Sequence, residues 1–267
     1  MYLSLNAQML ALPRKIMKMA PPGCHVDVAQ EIMDDHDFNV VPVAADHPEG
    51  LIVKYWYRQE QTDFPECFRV LAEDMLPGQT PIEGALDFIL RSEKPFVFIR
   101  DRLRVTGLLN LSDFNGNPFR VYVFSQVVML ETLLSRFVEQ ELGSEVVEGQ
   151  IGEKGMDQLR SDKKQGLNYS PCHYLYFKDL LQLCSKYRLY EIFGYETKSQ
   201  FKDLNSINFL RNDAAHPSKT LIGDRDQAVK ILERLRMVDD LSFRIRGAGL
   251  SEDCFQRVNQ GESKIFQ

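Results

Sequence analysis

The sequence predicts an α+β region followed by an all-α region, and three observations carry this. Up to Gly116, short helical patterns alternate with β-prone runs; beyond it, apolar residues recur at helical spacing through long segments; and "NGNP", residues 115–118, separates the two rhythms. The expected boundaries are 1–116, 117–246 and a tail at 247–267 whose pattern offers no packing partner. A chain of 267 residues, 44% of them hydrophobic, has room for two ordinary domains.

In the first region Val28, Ile32 and Met33 fall at helical spacing and lead into the β-prone run Val40 to Val43, with "GLIVKYWY", 50–57, as a second strand. The same order returns about 60 residues later. There Thr80 is expected as a helix N-cap with Pro81 at the first helical position, followed by apolar Ile82, Leu86 and Ile89. A strand from Phe96 to Ile99, a tight turn at Asp101–Arg102 and a strand from Leu103 to Leu109 complete the copy. Two copies of one helix–strand–strand unit are therefore expected, with Pro21–Cys24 and Pro77–Pro81 in corresponding places.

In the second region, Val123, Val127, Leu130, Leu134 and Phe137 lie on one stripe of a long helix starting near Asn117. "CHYLYFKDLLQLCSKYRLYEIFG" reads as a second helix closed by Gly194, and "KSQFKDLNSINFLR" as a third. The last begins at Asp224, an N-cap with Gln227 three residues on. Segment 143–166 is compatible with helix or with loose chain.

Charge narrows the partners. Residues 1–116 hold 11 Lys and Arg against 17 Asp and Glu, and residues 117–267 hold 21 of each, so all of the net −6 lies in the first region. No broad basic face for duplex DNA is expected, and a nucleic-acid role must rest on a local site. Cys24, Cys67, Cys172, Cys184 and Cys254 are odd in number and free of C-x-x-C pairs, which excludes a disulfide framework and gives no zinc spacing; no metal is expected. "MYLSLNAQMLALPRKIMKM" lacks the unbroken apolar core of a secretory signal, and no apolar run approaches the roughly 20 residues that span a bilayer. A soluble cytoplasmic protein without a membrane partner is the expectation.

The stretch "FLRNDAAHP", 209–217, places Arg211, Asn212 and His216 at the end of the third helical pattern. In a continuous helix, residues five apart diverge by ~140°. Pro217 changes this, because a residue before proline is pushed out of the α region, which lets His216 turn towards the space that Arg211 faces. His is the side chain whose ordinary pKa lies near neutrality, so it can move a proton, and the fork-shaped, permanently charged Arg can hold a phosphate as negative charge builds on it. Glu131, inside the apolar run of the first long helix, is a candidate partner for Arg211. Tyr174, Tyr176, Lys163 and Lys164 are candidates for touching bases or phosphates, against an ordinary reading as interior tyrosines and solvated charges.

The two repeats resemble a tandem pair of cystathionine-β-synthase-type (CBS) domains. "TGLLNLSD", 106–113, is similar to that family's strand-to-helix segment, with Asn110 where Thr or Ser is more usual, and with Ser112 and Asp113 as the polar pair. The resemblance implies an adenine nucleotide, AMP- or ATP-like, as a regulatory ligand, held by Asn110, Ser112 and Asp113 with Thr80 nearby. In the first copy Val53 and Trp56 stand at the corresponding places, so at most one side of the pair is expected to bind in the usual way.

Residues 117–246, with R-N-x3-H at Arg211, Asn212 and His216, resemble the four-helix-bundle HEPN superfamily, many members of which are metal-independent endoribonucleases. That resemblance implies an RNA substrate cut by its own 2′-hydroxyl, a homodimer that joins two copies of the motif, and a toxin, defence or stress-response setting. The competing expectation, from the neutral charge of the second region, is a non-catalytic nucleotide sensor whose bundle serves dimerisation or partner binding.

Overall fold

A computed structural model describes residues 4–43, 54–59, 62, 64–102, 104–216 and 218–249. Pro217, Val53 and the tail beyond 249 lie outside the described residues, as does Leu103. The chain forms two compact units: Met1–Tyr122 with Thr220–Val229, and Val123–Lys219 with the chain from Lys230 onward. The segment 220–229 thus folds with the first unit, whereas its sequence pattern places it in the helical region.

The first unit carries two small sheets. Strands β1 (Leu12–Pro13), β5 (Met75–Pro77), β6 (Phe96–Asp101) and β7 (Arg104–Asn110) form one, in the order β1-β7-β6-β5; β2 (Val40–Pro42), β3 (Lys54–Tyr57) and β4 (Glu66–Arg69) form the other, in the order β2-β3-β4. Three helices accompany them: α1 (Ala7–Leu10), α2 (Val26–His36) and α3 (Ile82–Arg91).

The register shows the internal repeat. The parallel bridge Ala20↔Val43 recurs as the parallel pair Leu76↔Ile99, a step of 56 residues for both partners. Leu12↔Leu108 at one edge matches Tyr55↔Phe68 at the other, again 56 residues from Leu12 to Phe68. Within the hairpins, Val41↔Trp56 matches Val97↔Leu109, 56 residues on the first strand and 53 on the second. The first hairpin has three more residues between its strands. Each sheet therefore trades its edge strand with the other copy, and the two copies share one core. Tyr55, Tyr57, Phe96 and Phe98 meet there, with Phe96 edge-on to Tyr55, Tyr57 and Phe98, and Tyr55 edge-on to Phe98, at ring-centroid distances of 5.2–5.8 Å.

One local expectation is corrected and another is met. Thr80 does not cap α3: the cap position is Pro81, which has no side-chain cap bond, and the Thr80 carbonyl accepts from Ala7 N at 2.9 Å. The bend at Asp101–Arg102 is where the sequence puts it, with Arg102 in the left-handed region at φ 52°. In "TGLLN", Gly107 is demanded by packing, because a Cβ there would stand 2.9 Å from the Leu12 carbonyl oxygen across the β1–β7 pair.

The remainder of the chain is helical. α4 (Asn117–Leu142) buries Val123, Val127, Leu130, Leu134 and Phe137, the stripe read from the sequence. At 26 residues it is also long and apolar enough to cross a bilayer by composition, although half of its most apolar window is buried inside the protein. The expectation that no segment approaches spanning length is corrected on that point. Segment 143–166 is helical: α5 (Ser144–Glu148) and α6 (Glu153–Lys164). The second helical pattern is broken, not continuous. A 3-10 turn at Pro171–Tyr174, α7 (Phe177–Lys186) and a turn at Leu189–Glu191 replace one long helix, with Arg188 at φ 59° and Gly194 at φ 77° closing the pieces. α8 (Lys198–Lys202), a 3-10 turn and α9 (Ile207–Ala215) follow, then α10 (Arg225–Gly247). α10 begins where the pattern places it, with Gln227 N donating to Asp224 Oδ1 at 2.7 Å.

Candidate functional site

The first candidate site is a cleft of about 550 Å³ in the first unit. Its walls come from Leu12, Ile16 and Met17, from Asn39, Val40 and Pro42, and from Pro95, Phe96 and Leu108, with Asn110, Ser112, Asp113, Lys18 and Asp37 as its polar groups. Of the residues read from sequence, Asn110, Ser112 and Asp113 are brought together here, and Thr80 is not among the walls. Asp113 Oδ2 accepts from Asn110 N at 2.7 Å, which ties the end of β7 to the 3-10 turn Leu111–Asn115. Burial pushes the Asp113 carboxyl above its ordinary value, and that backbone hydrogen bond pulls the other way. An apolar wall beside a carboxylate and a lysine suits a base, a ribose and a phosphate. Lys18 is the residue the sequence reading missed; nothing in its local pattern separates it from a solvated charge.

The register also locates a symmetry-related cleft, of about 900 Å³, in the same unit. Phe68 stands there for Leu12, Glu93 for Asp37, Lys94 for Phe38, Tyr57 for Asn110 and Gln59 for Ser112. This corrects the correspondence expected from sequence, in which Val53 and Trp56 held those places; Trp56 pairs as the counterpart of Leu109. The first hairpin is three residues longer than the second, which shifts the correspondence on its second strand. Tyr57 and Gln59 replace Asn110 and Ser112 in this cleft, and the chain's own Gly223, Asp224, Arg225 and Asp226 form one of its walls. Arg225 Nη2 donates to the carbonyls of Leu90 and, at 2.7 Å, Ser92, the unpaired acceptors at the C-terminal end of α3. Asn115 holds the approach, donating to Ile222 O and accepting from Leu221 N and Ile222 N, each at 2.8 Å.

The second candidate site lies in the helical unit. Arg211 Nη2 stands 3.5 Å from Glu131 Oε2, joining α9 to α4, and both side chains are mostly buried, at 32% and 18% exposure. The Phe177 N–H at the start of α7 also directs a hydrogen bond at the Glu131 carboxyl, so one carboxylate gathers three helices. Burial raises the pKa of Glu131, with Arg211 and Phe177 acting against it. Arg211 and Asn212 line a cleft of about 990 Å³ that also presents Tyr176 and Lys178 of the α7 start and Lys198 and Lys202 of α8. His216 caps α9 with extended backbone, φ −104° and ψ 96°, and is exposed; it is not among the walls of that cleft.

Two other candidates, Tyr174 and Lys163, have structural occupations, and so does Asp213 within the motif. Tyr174 Oη donates to Asp162 at 2.9 Å, Lys163 pairs with Glu148 at 3.3 Å, and Asp213 pairs with Lys219 at 3.6 Å. Cys172 is buried, its thiol donating to Ser135 O at 3.3 Å, and burial pushes its pKa up to about 12. Among the described residues no group of three His, Cys, Asp or Glu is placed to hold a metal.

No family model matches the chain, and no curated protein matches it. Solved structures similar to part of the chain include CBS-domain proteins. A hemolysin-like protein containing a CBS domain, from Oenococcus oeni PSU, is 16% identical over 41% of this chain and 87% of its own, with a TM-score of 0.33. The CBS domain of a bacterial CNNM/CorC family Mg2+ transporter in complex with ATP is 17% identical over 44% of this chain and 87% of its own, with a TM-score of 0.33. CBSX2 in complex with AMP is 15% identical over 42% of this chain and 92% of its own, with a TM-score of 0.35.

Proposed function

We propose that this protein is a metal-independent endoribonuclease of HEPN type whose activity is set by an adenine nucleotide bound beside Asp113. The observation that carries the reading is the Arg211–Glu131 pair at the edge of an open cleft, on the helix that His216 ends. Arg211 holds the scissile phosphate and Asn212 orients one of its non-bridging oxygens. The RNA 2′-oxygen forms the new bond to phosphorus, the bond to the 5′-oxygen breaks, and His216 moves the proton, as base at the first oxygen or acid at the second. The products are a 2′,3′-cyclic phosphate and a 5′-hydroxyl. Two copies of the motif meet in a homodimer. Each chain takes one nucleotide, in the cleft of Asn110, Ser112 and Asp113, because the related cleft has Tyr57 and Gln59 in place of Asn110 and Ser112 and is walled by residues 223–226.

The test is cleavage of total RNA in chelator, with and without AMP or ATP, scored for cyclic-phosphate ends beside Arg211→Ala and His216→Ala. The proposal predicts cutting that both variants abolish. RNA left whole by the parent under every nucleotide condition, or cut equally by His216→Ala, rejects it. One observation favours the second reading, a non-catalytic sensor: His216 is outside the walls of the cleft that Arg211 lines. Nucleotide binding with no RNA cleavage at any nucleotide concentration is the result that reading expects.

A further inference from the structure

We infer that the cleft running from Tyr176 to Asn212 is a binding track for single-stranded RNA. The nuclease reading supplies the reaction at its Arg211 end, but the binding itself stands on separate observations. The first is charge. Lys178, Lys186, Lys198, Lys202 and Arg211 line the cleft, and among the described residues no carboxylate does. The same region of the sequence holds 21 basic and 21 acidic residues, so this segregation is local and is not a consequence of composition. Cations of one sign gathered in a concave surface focus the field and raise the local concentration of an anion.

The second observation is the aromatic content. Tyr176 is 72% exposed and Phe209 is 61% exposed, large rings left in water in the same cleft as the lysines. Arg234 lies over the Phe209 ring at 5.8 Å, which fixes it and extends the stacking surface. A strand with free bases uses such rings, since every base has a π-face, whereas a duplex hides its bases in its own stack. An acidic peptide would satisfy the lysines and leave the rings unused. The amides of Asn208 and Asn212 add donors and acceptors along the same wall.

Arg211 closes the track. Glu131, which is not one of its walls, fixes the guanidinium from another helix, so a phosphate arriving along the lysines meets a cation already oriented. At about 0.7 per neutralised phosphate, five cations bound the salt dependence at a slope of about −3.5.

The experiment uses full-length His216→Ala in chelator, so that binding is read without cleavage, and a short fluorescent single-stranded RNA titrated over a series of salt concentrations. The double variant Lys198→Gln/Lys202→Gln should weaken binding about tenfold and flatten the slope by about 1.4. Tyr176→Ala should weaken binding about tenfold with no change of slope. Lys154→Gln, on α6 outside the cleft, should change neither. The track is refuted if Lys154→Gln weakens binding as much as the cleft variants, which means diffuse attraction, or if duplex RNA or polyglutamate binds as tightly as the strand. If the strand binds as described while the parent protein cuts nothing, the track stands and the nuclease reading fails. Should the parent cut RNA and the lysine variants bind and cut like it, the track alone is lost.

Discussion

Arg211 Nη2 and Glu131 Oε2 lie 3.5 Å apart, one on the penultimate helix and the other inside the apolar stripe of α4. The pair is long for a salt bridge, and its carboxylate has a second donor in Phe177 N–H. It is therefore a positioning contact more than a source of stability. Arg211→Lys keeps the charge but loses the planar fork, and cleavage should fall at least ~100-fold with little change in melting temperature. A rate within threefold of the parent would remove Arg211 from the reaction.

Glu131 also gives the protein a pH signature. Its folded pKa is raised above its ordinary 4.5, chiefly by burial. Between those two values the folded chain holds a proton that the unfolded chain has lost, so the contribution is present at lower pH and is lost as pH rises through the window. Asp113, whose ordinary value is 3.8, shifts in the same direction for the same reason. Glu131→Gln should flatten this fall of melting temperature with rising pH, and at neutral pH should cost less than about 1 kcal/mol because Arg211 stays partly hydrated. An unchanged pH profile in the variant would contradict the assignment.

Asn115 is a costly polar residue to remove from the first unit. Its side chain satisfies three backbone groups of Leu221 and Ile222, whose residues are only 5% and 4% exposed. Asn115→Ala orphans them and should cost about 2–4 kcal/mol, read from denaturant melts; Asn115→Asp keeps the acceptor and should cost less.

Arg225→Ala removes two hydrogen bonds to carbonyls at the end of α3, at an exposed position, and should cost about 1 kcal/mol. Calorimetric titration should find one adenine nucleotide per chain in the parent. Asp113→Asn retains an acceptor for Asn110 N while losing the negative charge, so it should stay folded and lose about tenfold in nucleotide affinity, or about 1.4 kcal/mol. Two nucleotides per parent chain would overturn the reading of the Tyr57 cleft.

The sequence by itself determined what is periodic and local. The stripe from Val123 to Phe137, the Asp224 cap, the turn at Arg102 and the return of helix–strand–strand were legible because each is fixed by residues a few positions apart. Only the tertiary structure decided which residues correspond between the two copies. A pairing register depends on both strands and on hairpin length, and the longer first hairpin puts Tyr57 at the place of Asn110 and Gln59 at that of Ser112, not Val53 and Trp56. It also decided that residues 223–226 wall the second cleft and that Glu131 faces Arg211. Those contacts join positions 80 to more than 130 residues apart, and no local pattern of apolar and polar residues encodes a meeting at that separation.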